Sequence, residues 1–221
     1  MLFYYLTGPQ YALSNLALRR VKISRFADLN DPFELLAVDI KDRGHRRAFR
    51  DMKEEINKKR GLICLSRSWS NPVLWGHYAE KHTGIALGFE VDPKKLAEVI
   101  YAEKPLKIAI DKDTNLPVLT KDVISELLRT KFHDWKYEEE MRLFVELANK
   151  KVESGQYFHD FSKDFQLREV ILGPKCELPI ASVRAIVDQY SSDVEVKKAR
   201  IAFSSFSVVK DKTRSKLSSE V

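Results

Sequence analysis

With 221 residues, 44% of them apolar, the chain is long enough to bury a sizeable core as one compact domain, and that is the expectation here. No stretch approaches the roughly 18 unbroken apolar residues of a membrane span. MLFYYLTGPQY also lacks the charged start and small-residue cleavage site of a signal peptide, so a cytoplasmic location without a membrane partner is expected. Lys and Arg exceed Asp and Glu by six, which suits an anionic partner such as a nucleotide or a nucleic acid. The charge is scattered through RGHRRAFR, NKKRG, VKKAR and KDKTRSK, and it forms no basic stripe with interleaved aromatics.

In chain order, Leu2 to Thr7 has the composition of a first strand, ended by Gly8-Pro9. A short helix from about Gln10 to Arg19 leads to the alternating strand VKISRF and the turn DLNDP. From His45 to Lys59, Phe49, Met52 and Ile56 share one face of an amphipathic helix, with Gly61 just past its end. LICLS is a buried-strand pattern. Ser70 or Asn71 then caps a helix, Pro72 fits its first turn, and Gly84 closes it. IALGFEV returns as a strand, and Asp92-Pro93 starts another short helix. The pattern from Tyr101 to Pro117 is irregular. Asp122 is expected to cap a helix running toward Trp135, with Val123, Leu127 and Leu128 inward. EMRLFVEL and REVILG read as strands, Leu178 to Val187 as a helix, and VEVKKARIAF and SFSVV as two last strands. The composition of residues 210–221 turns polar and basic, and that tail is expected to be disordered. Strands and helices are interspersed without a βαβ rhythm, so the fold class is α+β, with mixed or antiparallel sheets. No glycine-rich phosphate loop occurs. Cys64 and Cys176 fit neither a disulfide framework nor a metal spacing, and no metal is expected in the leading reading.

Four constellations could carry chemistry. On the helix after Asn71, Trp75, Tyr78 and His82 fall at intervals of three and four, which suits core packing or a ring platform, while His77 points elsewhere and can titrate near neutrality. In HDWKYEEEMRLFVEL, Glu138 and Glu140 share a face if both are extended, and two such acids either share a proton or engage a ligand. Trp135 and Tyr137 supply flat walls beside them, whereas Lys131, Lys136 or Arg142 can neutralise them in a plain salt-bridged turn. In DLNDPFEL, Asn30 or Asp31 closes an Asx-turn ahead of Pro32, which should fix Phe33 in the core and aim Glu34 away. Asp31 and Glu34 can alternatively line the same cleft. Ser66 and Ser68, at a strand end, lie outside any G-x-S-x-G elbow.

NDPFE, LICLS, WGHYAEKHTGIALGFE, W-x-Y-E-x-E-x-R-L and a late ILG, in that order, resemble the bacterial family known as domain of unknown function 2971. The resemblance runs from about Leu2 to Val209. Tyr4-Tyr5 stands where many members carry a basic–aromatic pair, and Leu74 where methionine is usual. A weaker similarity links the chain to ADP-ribosyltransferase-like domains, which split NAD in a cleft between two small sheets. That similarity implies Tyr5 in place of their histidine or arginine, Ser66 as the serine after a central strand, and Glu140 as the glutamate that steadies an oxocarbenium-like transition state, with Glu138 its partner. It further implies NAD as substrate and a role in toxin or phage-defence systems; the leading expectation is one cleft formed by the Asn30–Glu34 turn, the Trp75–His82 helix and the Trp135–Arg142 segment, with Tyr5 and Trp75 as ring platforms and Arg142 on a diphosphate. Against this stand a nucleic-acid-binding or Mg²⁺-dependent nuclease reading, with Asp31, Glu34, Glu138 and Glu140 as acids, and a non-enzymatic interaction module.

Overall fold

A computed structural model describes residues 1–148, 150 and 152–213. The chain opens with β1 (Leu2–Thr7), α1 (Pro9–Leu18), β2 (Arg20–Ile23), α2 (Arg43–Lys59), β3 (Arg60–Ser66), α3 (Pro72–Tyr78) and β4 (Ile85–Val91). Short pieces follow: β5 (Ala97–Glu98), β6 (Ile100–Ala102), α4 (Lys121–Leu127) and β7 (Thr130–Phe132), then a 3₁₀ turn, His133–Glu138, and β8 (Glu140–Glu146). The second half holds β9 (Val152–Glu153), β10 (Gln156–Asp160), β11 (Phe165–Leu172), α5 (Ile180–Val187), β12 (Glu195–Ile201) and β13 (Val208–Lys210). The class is α+β. Lys210 ends β13, and most of the tail expected to be disordered, residues 214–221, lies outside the described residues.

Eight strands form one sheet in the order β13-β12-β11-β4-β1-β3-β8-β5, antiparallel except between β11 and β12. Smaller sheets join β2, β10 and β9, and β6 with β7. Side chains alternate across the large sheet. Ile85, Leu87 and Phe89 of β4 pack with Ala12 and Leu16 of α1 and Val183 and Val187 of α5. Ala86 faces the other way, against Trp75 and Ala79. At the far end of the sheet, Phe49 of α2 and Leu127 of α4 pack with Leu62, Phe26 and Leu35. Among the described residues no helix is long and apolar enough to cross a membrane.

The sheet parts in its middle. β1 pairs with β4 at six successive positions, from Leu2↔Glu90 to Thr7↔Ile85, but with β3 only at Tyr4↔Ser66. Four residues back along β3, Leu62 pairs instead with Ser24, just past β2. Between these two bridges the edge of β3 has no neighbouring strand among the described residues, which leaves a window in the sheet.

Local signals explain most element ends. Asn71 Oδ1 accepts the Val73 N–H at 2.9 Å and Pro72 occupies the first turn of α3, as the sequence suggests. The helix stops at Tyr78, not at Gly84, because Glu80, Lys81 and His82 all take positive φ angles (46°, 54° and 76°) that no helix can contain. Gly84 serves a steric need instead. A Cβ there would run into the Thr7 carbonyl oxygen and lie 2.9 Å from Ala79 O. α4 is capped by Thr120, whose Oγ1 accepts the Val123 N–H at 3.2 Å, rather than by Asp122, and it ends at Leu127, well short of Trp135.

Candidate active site

The window between β1 and β3 opens into a cavity of about 310 Å³. Tyr4, Tyr5 and Leu6 all line it, as do Cys64, Leu65 and Ser66. Consecutive strand residues point to opposite faces, so three in a row reach one space only where the strand edge itself is open. Ser24, Asp28, Leu29 and Asn30 close one side, and Leu74, His77 and Tyr78 of α3 another. Lys131, Glu138 and Glu140, all nearly inaccessible to solvent, form the floor.

That floor is a continuous ionic network. Lys131 Nζ lies 2.5 Å from Glu138 Oε2 and 3.1 Å from Glu140 Oε2. Arg142 Nε donates to Glu140 Oε1 at 3.0 Å and Nη2 to Oε2 at 3.1 Å. On its other side Arg142 makes a two-pronged contact with Glu34, Nη1 to Oε2 at 3.0 Å and Nη2 to Oε1, and Nη1 also donates to the Leu128 carbonyl at 2.7 Å. The Tyr78 hydroxyl donates to Glu138 Oε1, and the Tyr101 hydroxyl accepts the Glu140 N–H at 2.8 Å. Three carboxylates thus share two cations. Desolvation of so many charges is tolerable only because each is paired and hydrogen-bonded.

The network pushes its acids apart. Burial works to raise the Glu140 carboxyl, but Arg142 and Lys131 overcome it and hold the group down at about 2. Glu138 shifts upward, since burial outweighs Lys131 and the charge of Glu140 adds to it. Glu34 also shifts upward through burial, despite Arg142. Burial acts to lower the Lys131 ammonium, yet Glu140 and Glu138 keep it firmly protonated. The Tyr78 phenol is raised strongly by burial and by the Glu138 charge, and the Cys64 thiol is raised by burial and by Glu140. One acid of the pair is therefore held ionised down to low pH, and the other is the more readily protonated.

Of the residues singled out from the sequence, the cavity gathers Tyr5, Ser66, His77, Tyr78, Asn30, Glu138 and Glu140. Trp75 is not among them. It is fully buried against Ala86, Ile171 and Ala199, with Nε1 donating to the Trp69 carbonyl at 2.6 Å, so it is a core residue rather than a ring platform. Arg142 is equally inaccessible, behind Glu140, and cannot meet a diphosphate. Trp135 sits beside the floor with its ring centroid 4.9 Å from Lys131 Nζ and 6.1 Å from the His77 ring. His77 Nδ1 lies 2.8 Å from the Tyr137 hydroxyl. Asp31 closes the expected Asx-turn, accepting the Phe33 N–H at 2.9 Å, but the two residues after Pro32 are exchanged relative to expectation: Phe33 is 58% exposed and Glu34 1%, because Arg142 draws Glu34 inward. Glu138 and Glu140 converge for a reason other than strand alternation. Glu138 ends the 3₁₀ turn and Glu139 is left-handed at φ 45°, so it is the shared Lys131 that brings their carboxylates together. Lys131 was visible in the sequence only as a possible surface partner. Its place between Glu138 and Glu140 on a short buried strand is set by long-range pairing.

Among the described residues no group of three or more His, Cys, Asp or Glu side chains is arranged to hold a metal ion. Asp31 spends Oδ1 on the Phe33 N–H and Oδ2 on the Phe132 N–H at 3.4 Å, while Glu34 and Glu140 are neutralised by Arg142. The four acids proposed for Mg²⁺ therefore do not converge on a common vacancy.

No curated protein and no solved structure matches the chain. A family model described as "Protein of unknown function (DUF2971)" matches residues 74–143, the segment from α3 through the Glu138–Arg142 run, and supports the resemblance to that family over the part of the chain that builds the cavity's floor.

Proposed function

We propose that the cavity binds a ribosyl nucleotide, NAD in the first place, and breaks its N-glycosidic bond, passing the ribosyl carbon to water or to another acceptor. The observation that carries this reading is the carboxylate pair Glu138–Glu140 on one ammonium, at the foot of a sheet that has parted. Both acids touch Lys131 Nζ, at 2.5 and 3.1 Å, so their oxygens are no further apart than those two lengths laid end to end. That limit admits the about 5–5.5 Å at which two carboxylates serve one glycosidic centre. Breaking the bond leaves its electron pair on the departing nitrogen, which turns a pyridinium into neutral nicotinamide, and positive charge grows on the ribose. Glu140, held ionised, supplies the fixed negative charge that this needs. Glu138, the more readily protonated acid, takes the proton of the attacking water or acceptor hydroxyl as its oxygen bonds to the ribosyl carbon. Tyr4, Tyr5 and Tyr78 offer apolar rings with polar tips for the base and sugar. The likeness to ADP-ribosyltransferase-like domains rests on Tyr5, Ser66 and the Glu-x-Glu run, and a toxin or defence role through NAD depletion follows only from that analogy.

The test is nicotinamide release from NAD by the purified chain. Release that falls by roughly 10²-fold or more in Glu140→Gln and in Glu138→Gln supports the proposal; no release from wild type, or release from the variants equal to that of wild type, ends it. A second reading is favoured by one observation: every carboxylate oxygen of Glu138 and Glu140 already has a partner within the protein. On that view the network is a packing device for an interaction module, and the same substitutions would lower stability with no catalytic activity to lose.

A further inference from the structure

We infer that the β12–β13 hairpin docks the protein on an anionic membrane surface. The loop joining the two strands presents Phe203, 93% exposed, and Phe206, 100% exposed, with Ile201 at its base 53% exposed. Phe3, Phe26, Phe49, Phe89 and Phe165 are buried, and even the exposed Phe33 and Phe132, at 58% and 42%, are covered far more than these two rings. The loop is a built turn. Ala202 N–H donates to Ser207 O at 2.9 Å, Ser207 N–H to Ser205 O at 2.9 Å, and the Ser205 and Ser207 hydroxyls are 2.7 Å apart. These bonds hold the backbone while both rings face solvent. The Arg200 guanidinium lies 4.4 Å from the centroid of the Phe203 ring, which sets a cation directly behind the apolar tip.

Charge selects the partner. From Arg200 to Lys212 the described residues carry three basic side chains, Arg200, Lys210 and Lys212, against the single Asp211, a net of +2. Lys210 is answered by Glu195 at 2.6 Å, whereas among the described residues Arg200 meets the Ile201 carbonyl, at 3.0 Å, and the Phe203 ring, and no carboxylate. A protein partner is poorly served, since two phenylalanine rings offer roughly 300–500 Å², short of the about 800 Å² each side contributes to a stable interface. A nucleic-acid strand wants a basic groove with stacking walls, and a projecting hairpin tip is the opposite shape. A bilayer surface fits both features: the rings enter the boundary between headgroups and acyl chains, and the basic residues meet anionic headgroups. Docking of this kind needs no spanning helix, and the reading is independent of the cavity's chemistry.

The experiment is co-sedimentation of the full chain with vesicles of phosphatidylcholine alone and of phosphatidylcholine mixed with phosphatidylglycerol. The expected result is binding to the anionic vesicles only, weakened by salt, and reduced about tenfold or more in the Phe203→Ser/Phe206→Ser double variant. Because both rings are exposed, the urea midpoint of that variant should match wild type, which separates loss of docking from loss of fold. A Phe206→Trp variant should show blue-shifted emission on the anionic vesicles. No sedimentation with either vesicle, equal sedimentation of the double variant, or Phe-dependent binding of single-stranded RNA with vesicles ignored would each overturn the proposal.

Discussion

Glu34 and Arg142, 108 positions apart in the chain, form a two-pronged ion pair with almost no access to solvent. The pair ties the turn after β2 to the middle of β8 and places the guanidinium behind Glu140. Removing the cation strands two carboxylates in the interior. Arg142→Met should therefore lose about 3–5 kcal/mol, a large part of the roughly 5–15 kcal/mol that holds a domain folded. Urea unfolding monitored by tryptophan fluorescence measures it; a loss under about 1 kcal/mol would mean that the pair adds little.

Lys131→Met tests the floor. The substitution keeps the length of the side chain but removes the charge that Glu138 and Glu140 share, so Glu138 loses its cation and faces a Glu140 held by Arg142 alone at neutral pH. One escapes by holding a proton. The variant should be least stable relative to wild type at neutral pH and recover much of the difference at mildly acidic pH, as Glu138, already shifted upward by burial, protonates. A constant difference between the two pH values would show that Lys131 does not separate the acids.

Glu140 sets an acid limb of stability. Its carboxyl is held at about 2 in the folded protein, against an ordinary value of 4.5, so the folded state binds fewer protons than the unfolded chain between those values. Its contribution is complete above about pH 4.5 and is lost as pH falls toward 2. Glu34 and Glu138 are shifted upward and act with the opposite sign, favouring the fold at low pH. Between pH 5 and 2.5 the urea midpoint of wild type should fall more steeply than that of Glu140→Gln. Parallel slopes would assign the acid limb to other groups.

Tyr78→Phe addresses the proposed chemistry. The Tyr78 hydroxyl donates to Glu138 and favours its charged form. Without that bond the carboxyl should climb further, and the acidic limb of the pH–rate profile for NAD cleavage should move to higher pH while the alkaline limb stays in place. An unshifted acidic limb would remove Glu138 from the proton-accepting role.

Gly84→Ala tests the junction of α3 and β1. The added methyl meets the Thr7 carbonyl and the Ala79 backbone, none of which is a flexible side-chain end. Backbone displacement of this kind costs about 1–3 kcal/mol, seen as a lower thermal midpoint. Gly76→Ala, where a Cβ meets nothing within 4 Å, is the matched control.

Short-range chemistry was the legible part. Leu2–Thr7, Pro9–Leu18, the Asn71-Pro72 start of α3 and IALGFEV could be placed because period, cap and proline signals act within a few residues. What escaped was decided across distance. Phe33 and Glu34 exchanged places because of an arginine far along the chain, and β10 is a strand because β2 offers it an edge from Arg20 to Ile23. For the candidate site, the sequence singled out Glu138 and Glu140, whose carboxylates meet on Lys131 rather than through strand alternation, and Tyr5, Ser66 and Tyr78 line the same cavity. The aromatic spacing misled at Trp75, because one side of a seven-residue helix can meet both the sheet core and a cavity lip. Nothing local marks Lys131, whose neighbours in space come from other turns of the chain.

The divergence of β1 from β3 has a consequence for mutagenesis. Between Tyr4↔Ser66 and Ser24↔Leu62 no residue of β1 pairs with β3 among the described residues, so under the proposed function a ligand lodged there would meet main-chain donors and acceptors that no side-chain replacement can delete. Alanine scanning of the walls should accordingly erode affinity in fractions, and abolishing it should require a change in the path of the backbone itself.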